Sequence, residues 1–327
     1  MSHGIMEEDR GVVWGDTWHG LPQYVQQEAP VSIQQATDVL NYPIETRPLF
    51  TVDAAGVPRQ VQACCVVRTD TGRVLVPHTG VRFTPMNNAV LLRTMEARLL
   101  NSNPDLKIES VGTLFGGATA FINVVLERYH IKGDDSETLT RLMYYNPLGI
   151  GGYKVGMHNV RIVCNNTLRM ASAQAQANKT LVMIPHTENA ATRVSDQLFD
   201  MSLVLVEAQG FRKSVESLVD VPIRTTEELD RLLALLFPEP EHDTKEEVRS
   251  AQRKNQEAVR KLYDAGIEGV APQYQRTRYA LLQACTQMID HPETIRQNND
   301  LAFVQWDGIV GDRASNKDHI LTILLTA

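Results

Sequence analysis

Between Val61 and Val163 the chain repeats one pattern three times: an apolar run rich in β-branched residues, a compact turn, and a second such run. β-Branched residues favour strands, and short turns of Gly, Asp, Thr and Pro join antiparallel neighbours rather than parallel ones. The first pair is Val61–Asp70 and Arg73–His78 around Thr69-Asp70-Thr71-Gly72. The second is Ile108–Leu114 and Ala118–Arg128 around Gly116-Gly117. The third is Leu139–Asn146 and Gly152–Val163, joined across Pro147–Gly151. Helical patterns bracket them. Met86–Leu100 places Val90, Leu91, Met95 and Leu99 at spacings near 3.6, with Arg98 beside them. Strands and helices that segregate in this way predict an α+β fold: an antiparallel sheet of consecutive hairpins packed against helices, followed by a mostly helical C-terminal region.

The flanks set the expected domain plan. Residues 1–58 carry Pro22, Pro30, Pro43, Pro48 and Pro58 and read as an irregular arm, with one short helix at Ser32–Leu40 capped by Ser32. Trp14, Trp18 and Tyr24 are expected to pin this arm to the body or to a neighbouring subunit. Residues 59–237 form the α+β core. Within it a long helix is expected over Thr187–Leu218 and another over Thr225–Phe237, capped by Thr225 or Thr226. Residues 238–250 are an acidic, Pro-containing linker, and 251–327 are mostly helical, with Arg276–Met288 and Lys317–Leu325 as helices and Gly308–Ser315 as a loop. The charged segment Lys245–Tyr263 reads as a solvated helix.

Composition excludes several classes. The 327 residues contain no apolar run of about 18, so no membrane span is implied. Glu7, Glu8 and Asp9 near the start do not resemble a signal peptide. Four cysteines are too few for a disulfide framework and suit a reducing, cytoplasmic setting. The nine histidines are scattered, with neither His-x-x-x-His nor Cys-x-x-Cys, so no metal site is expected. Gly149-Ile150-Gly151-Gly152-Tyr153-Lys154 has Lys where a dinucleotide fingerprint needs its third Gly, and lacks the Gly-Lys-Ser/Thr of a triphosphate loop. No Gly-x-Ser-x-Gly elbow occurs either, so no cofactor and no catalytic residues are assigned.

Charge and junction chemistry point instead to binding. The net charge is −7, yet Arg59 to Lys213 holds 17 Lys/Arg against 12 Asp/Glu. A basic centre between acidic flanks suits local contact with a polyanion. In Arg161-Ile162-Val163-Cys164-Asn165-Asn166-Thr167-Leu168 a strand is expected to give way to a helix at about Thr167, running to about 178. Asn and Thr cap helix starts, and a strand-to-helix junction offers free N–H groups to an anion. Arg68, Arg82, Lys154, Arg161 and Arg169 are the candidate phosphate contacts, and Asn165 and Asn166 the candidate amides. Tyr145 and Tyr153 are the candidate stacking rings. If the strand holding Tyr144 and Tyr145 has one solvent face, one of the two rings must reach it.

The string Arg161 to Leu168 also resembles the hallmark of the phage/plasmid-like DUF932 family. Further family-like pieces follow the expected order: Trp18-His19-Gly20-Leu21, Arg68-Thr69-Asp70, Gly80-Val81-Arg82-Phe83 with Asn87 and Asn88, Glu109-Ser110-Val111-Gly112-Thr113-Leu114 with Gly116-Gly117, and the tail Gly308–Leu325 with Lys317. The chain departs from the family where a His-Asp-Gly-Ser turn is replaced by Asn146-Pro147-Leu148-Gly149. The resemblance implies a phage or plasmid setting and no defined reaction.

Two functions are expected from these features, and a third is kept beside them. The first is a nucleic-acid-binding protein that holds or anneals single-stranded DNA in recombination or replication, acting as a homo-oligomer without ATP. The alternative is a non-enzymatic accessory protein that binds a host protein, for example in counter-defence. The third is an enzyme built around Asp134, Glu109 and His158, tested by metal-dependent nuclease activity.

Overall fold

The computed structural model describes residues 5–15, 22–101, 103, 105–149, 152–161, 166–169, 182–190, 192–193, 201–239, 246–290 and 312–327. Its strands are β1 (Gly11–Trp14), β2 (Tyr24–Gln27), β3 (Ile44–Val52), β4 (Pro58–Arg68), β5 (Arg73–Gly80), β6 (Lys107–Leu114), β7 (Thr119–His130), β8 (Glu137–Pro147), β9 (Tyr153–Arg161), β10 (Asn166–Arg169) and β11 (Val182–Ile184). Its helices are α1 (Ile33–Leu40), α2 (Asn88–Met95), α3 (Met201–Val219), α4 (Thr226–Leu236), α5 (Glu246–Ala265), α6 (Arg278–Asp290) and α7 (Asp312–Thr326). A π-helical turn, Glu96–Leu100, extends α2. The fold is α+β, with antiparallel hairpins packed against helices and a mostly helical C-terminal region.

Among the described residues eight strands form one large sheet in the order β10-β9-β8-β7-β6-β1-β2, with β11 also on β9. All its pairs are antiparallel except β1 with β2. The second sheet is β3-β4-β5. All three expected hairpins are present, because each turn supplies the backbone it needs. At the tip of β6–β7, Gly116 and Gly117 adopt φ of 71° and 97°, where a side chain would be strained.

One face of the large sheet packs on helices. Val12, Val111, Ile122, Val124, Leu142 and Val155 share a core with Leu40 of α1, Leu92 of α2, Phe211 and Val215 of α3, and Leu281 and Cys285 of α6. Local caps hold these helices. Ser32 accepts from Gln35 N–H while Gln35 bonds back to Ser32 N–H, and Thr225 accepts from Glu228 N–H. The C-terminal layer contains one costly feature: Lys317 of α7 is 0% exposed and pairs at 2.5 Å with Asp290 at the end of α6, itself 1% exposed.

Four sequence expectations are corrected. The stretch 1–58 is not irregular, since it carries β1, β2, α1 and all of β3. Its prolines are tolerated because Pro58 opens β4 and Pro48 sits on edge strand β3 beside a register shift. Residues 166–169 are strand β10 rather than a helix start; Asn166 to Arg169 pair with Arg161 to His158, and this pairing at the edge of β9 outweighs local helix propensity. The rest of the expected helix, 170–178, lies outside the described residues. Of the helix expected over Thr187–Leu218, Thr187–Asn189 form a bend and turn, Ala190, Thr192 and Arg193 are helical, and α3 covers Met201–Val219, with 191 and 194–200 outside the described residues. The last helix covers Asp312–Ser315, which belong to the expected loop.

Candidate functional site

Cross-strand partners point to the same face of a sheet, so the pairing register lays out the face opposite the helices row by row. The first row runs Tyr24–Gly11–Gly112–Phe121–Tyr145–Lys154–Met183. Tyr24 lies flat across the two glycines: a Cβ at Gly11 or Gly112 would come within 2.2 or 2.4 Å of it. Its ring stacks on Phe121 at 6.3 Å and its hydroxyl donates to Thr113 O at 2.8 Å. The next row is Val13–Ser110–Asn123–Met143–Gly156, with Asn123 Nδ2 donating to Ser110 Oγ at 3.0 Å.

The third row is Lys107–Val125–Arg141–His158–Arg169, in which four of five positions are Lys, Arg or His. At about 4.8 Å between strands, it spans about 19 Å. A register shift between Ile108 and Ser110 inserts Glu109, whose carboxylate takes both Nε and Nη2 of Arg141. The two side chains are 9% and 16% exposed, so the pair is largely desolvated. Beyond it, Arg128 lies over the Trp14 ring at 5.0 Å and pairs with Glu137 at 2.9 Å.

The predicted residues distribute unevenly over this layout. Lys154 and Tyr145 are direct cross-strand neighbours, and the backbone register puts Arg169 in the basic row. Tyr145 is not an exposed ring. Both it and Tyr144 are buried, because Tyr144 faces the helices and Tyr145 packs with Ile5, Tyr24 and Phe121. Tyr153 also belongs to the helix-side core, where burial pushes its hydroxyl well above the ordinary range. Arg161 pairs with Thr138 and Asn166, in register with the helix-packed side; the side chains of His158, Arg161, Asn166 and Arg169 lie outside the described part. Asn165 lies outside the described residues. Arg82 is exposed on a turn after β5, apart from the large sheet.

Arg68 is a structural residue. It is buried, pairs with Asp70 at 2.9 Å, donates to Glu8 O and Gly116 O at 3.3 Å, and lies over the Tyr42 ring at 4.5 Å. The Arg68 bond in turn holds the Asp70 carboxyl below its usual range. Scattered motif residues converge around it. Tyr42 donates to Gly117 O at 2.8 Å and accepts from Asn88, while Asn146 donates to Asn88. Asp134 is buried and accepts from Ser136 N–H and the Tyr279 hydroxyl, and Glu109 is taken by Arg141, although His158 is Arg141's partner in register. No group of three His, Cys, Asp or Glu among the described residues could hold a metal ion, and no described helix is long and apolar enough to cross a membrane.

Sequence reasoning missed Trp14, Lys107, Arg128 and Arg141 as members of one surface. The alternation within each strand was visible, but which residues align across five strands depends on bulges at Glu109 and near Leu126 that periodicity does not mark. Residues 77–306 match the family described as a domain of unknown function, DUF932. No curated protein matches the chain, and no solved structure does.

Proposed function

Because the chain belongs to the DUF932 family of domains of unknown function, we propose its activity from the sheet itself: it binds single-stranded nucleic acid along the face opposite the helices. The observation that carries this reading is the row Lys107–Val125–Arg141–His158–Arg169. Lys and Arg neutralise phosphates, and nearby rings add stacking that tolerates any base. Trp14 under Arg128 supplies such a ring on β1. Glu109 fixes Arg141 in place and removes one charge, which keeps the strip only moderately basic in a chain of net charge −7. Holding a strand by backbone contacts needs no ATP, and annealing of two held strands is the activity that fits.

The test is fluorescence anisotropy with a labelled oligothymidylate across a salt series. Wild type is expected to bind with affinity falling by a log–log slope of about −0.7 per phosphate contact. The variant Lys107→Ala/Lys154→Ala is expected to bind about tenfold more weakly with a shallower slope. No binding at low salt, or an unchanged slope in the variant, refutes the assignment.

A second reading, assembly of copies of the chain, has its own observation. Edge strand β3 exposes Phe50 and Val52 at 60% and 65%. An unpaired edge with apolar side chains is a template for pairing with another strand, and identical edges pair symmetrically. Light scattering should give a multiple of 36.6 kDa for wild type and a monomer for Phe50→Ser/Val52→Ser.

A further inference from the structure

At the tip of β6–β7 a cradle for an anion is already filled by the chain's own carboxylate. Gly116 N–H and Gly117 N–H each donate to Asp9 at 2.9 Å, and Thr113 Oγ1 donates to it at 2.9 Å. Successive N–H groups in a turn of positive φ form a concavity that binds anions, phosphates among them. Two arginines flank it. A Cβ at Gly116 would lie 2.6 Å from Arg73 Nε, and one at Gly117 would lie 3.2 Å from Arg68 Nη1. The adjacent acid, Glu8, pairs with Arg73 at 2.9 Å. Asp9 is 1% exposed, so a carboxylate has been buried among donors that a phosphate would use equally well.

The same segment covers the aromatic row. Ile5 packs in one cluster with Tyr24, Phe121, Met143 and Tyr145, next to Lys154 in register. The segment is held through side chains and the Arg68 bond to Glu8 O rather than by the strand ladder. Asp9 also closes its own turn through Met6 N–H, and the sheet ladder proper starts at Gly11. Residues 5–9 could therefore lift away without unpairing β1 from β6.

We propose that residues 5–9 are a displaceable strap: Asp9 and Glu8 stand in for phosphate in a cradle of Thr113, Gly116, Gly117, Arg68 and Arg73, and Ile5 shields the aromatic row until a nucleic-acid phosphate replaces them. This rests on the binding reading above and deepens it. With the strap closed the sheet offers its basic row alone; with it open the row of rings joins the surface. A ligand that must first open the strap binds more weakly by the fraction of open molecules.

The experiment compares wild type, Glu8→Ala/Asp9→Ala and Ile5→Ala in two assays. One is anisotropy with labelled oligothymidylate; the other is thermal unfolding with and without inorganic phosphate. The double variant is expected to bind the oligonucleotide about tenfold more tightly than wild type. It should also gain a phosphate-dependent rise in Tm that wild type lacks, and adding Arg73→Ala should cancel that rise. Ile5→Ala should tighten oligonucleotide binding without the phosphate effect, and it carries the test if the double variant does not fold. Equal oligonucleotide affinity in all three proteins overturns the strap and leaves the basic row standing. Phosphate stabilisation of the double variant with no oligonucleotide binding by any protein keeps the cradle, reassigns it to small phosphates and overturns the nucleic-acid reading. The absence of both effects overturns the cradle as well.

Discussion

The two faces of the large sheet are built from the same strands one residue out of step, and they differ in kind. On the helix side Val111, Ile122, Val124 and Leu142 are all 0% exposed and form one continuous core with the helices. On the other side their immediate neighbours Ser110, Asn123 and Arg141 make hydrogen bonds and an ion pair beside a small cluster of rings. The difference teaches where charge is tolerated. On the second face the Glu109–Arg141 pair sits beside half-exposed Lys154 and Gly156, so charges can be added or neutralised by a ligand. On the helix side Lys317 and Asp290 are sealed off, and each depends wholly on its surroundings within the fold.

Breaking that sealed pair should have the largest effect. Lys317→Ala leaves Asp290 charged in the dry layer and is expected to cost about 3–5 kcal/mol, measured by urea unfolding. Replacing both residues with apolar ones, as Lys317→Met/Asp290→Leu, should recover most of the loss. A single variant as stable as wild type would mean that water reaches the pair. Ile122→Ala against Asn123→Ala compares the faces at adjacent positions. The first should cost about 2–5 kcal/mol through the cavity it leaves, the second less than about 1 kcal/mol. Equal losses would erase the distinction between the faces. Arg141→Gln should cost about 1–3 kcal/mol by stranding Glu109, and it should weaken oligonucleotide binding as well, which neither helix-side change should do directly.

The smallest effect is a titration. His186 lies tilted against the Phe83 ring at 5.0 Å and bonds Pro147 O at 2.7 Å, and burial holds its imidazole below the ordinary value of 6.5. The folded state therefore takes up its proton less readily than the unfolded chain. Its stability contribution is full above about pH 6.5 and is lost as pH falls toward the depressed folded value. Unfolding midpoints of wild type and His186→Gln should converge as pH drops below 6.5, and parallel pH curves would place His186 outside that transition.

Much of the fold was legible in the chain. The turn at Gly116-Gly117 and the caps at Ser32 and Thr225 are short-range devices, so local sequence suffices to identify them. The candidate site was legible only in part. Lys154 and Tyr145 were selected as basic and aromatic residues, and they proved neighbours, but Arg68 and Tyr153 were selected on the same grounds and are buried. Residue type does not reveal burial for an Arg that can stack on Tyr42 and pair with Asp70. The Asn166–Arg169 segment failed for the converse reason: residues expected to cap and open a helix pair instead with the edge of β9, which no local pattern announces.

By itself, then, the sequence determined the hairpins, the caps, the segregation of strands from helices and the family, because these depend on contacts within a few residues or on the order of motifs. Tertiary structure alone decided which face each residue occupies, that Asp9 reaches a turn more than one hundred residues away, and that Lys107, Arg141 and Arg169 share a row. Those outcomes turn on strand register and bulges, and a shift of one residue in either would send every one of these side chains to the opposite face.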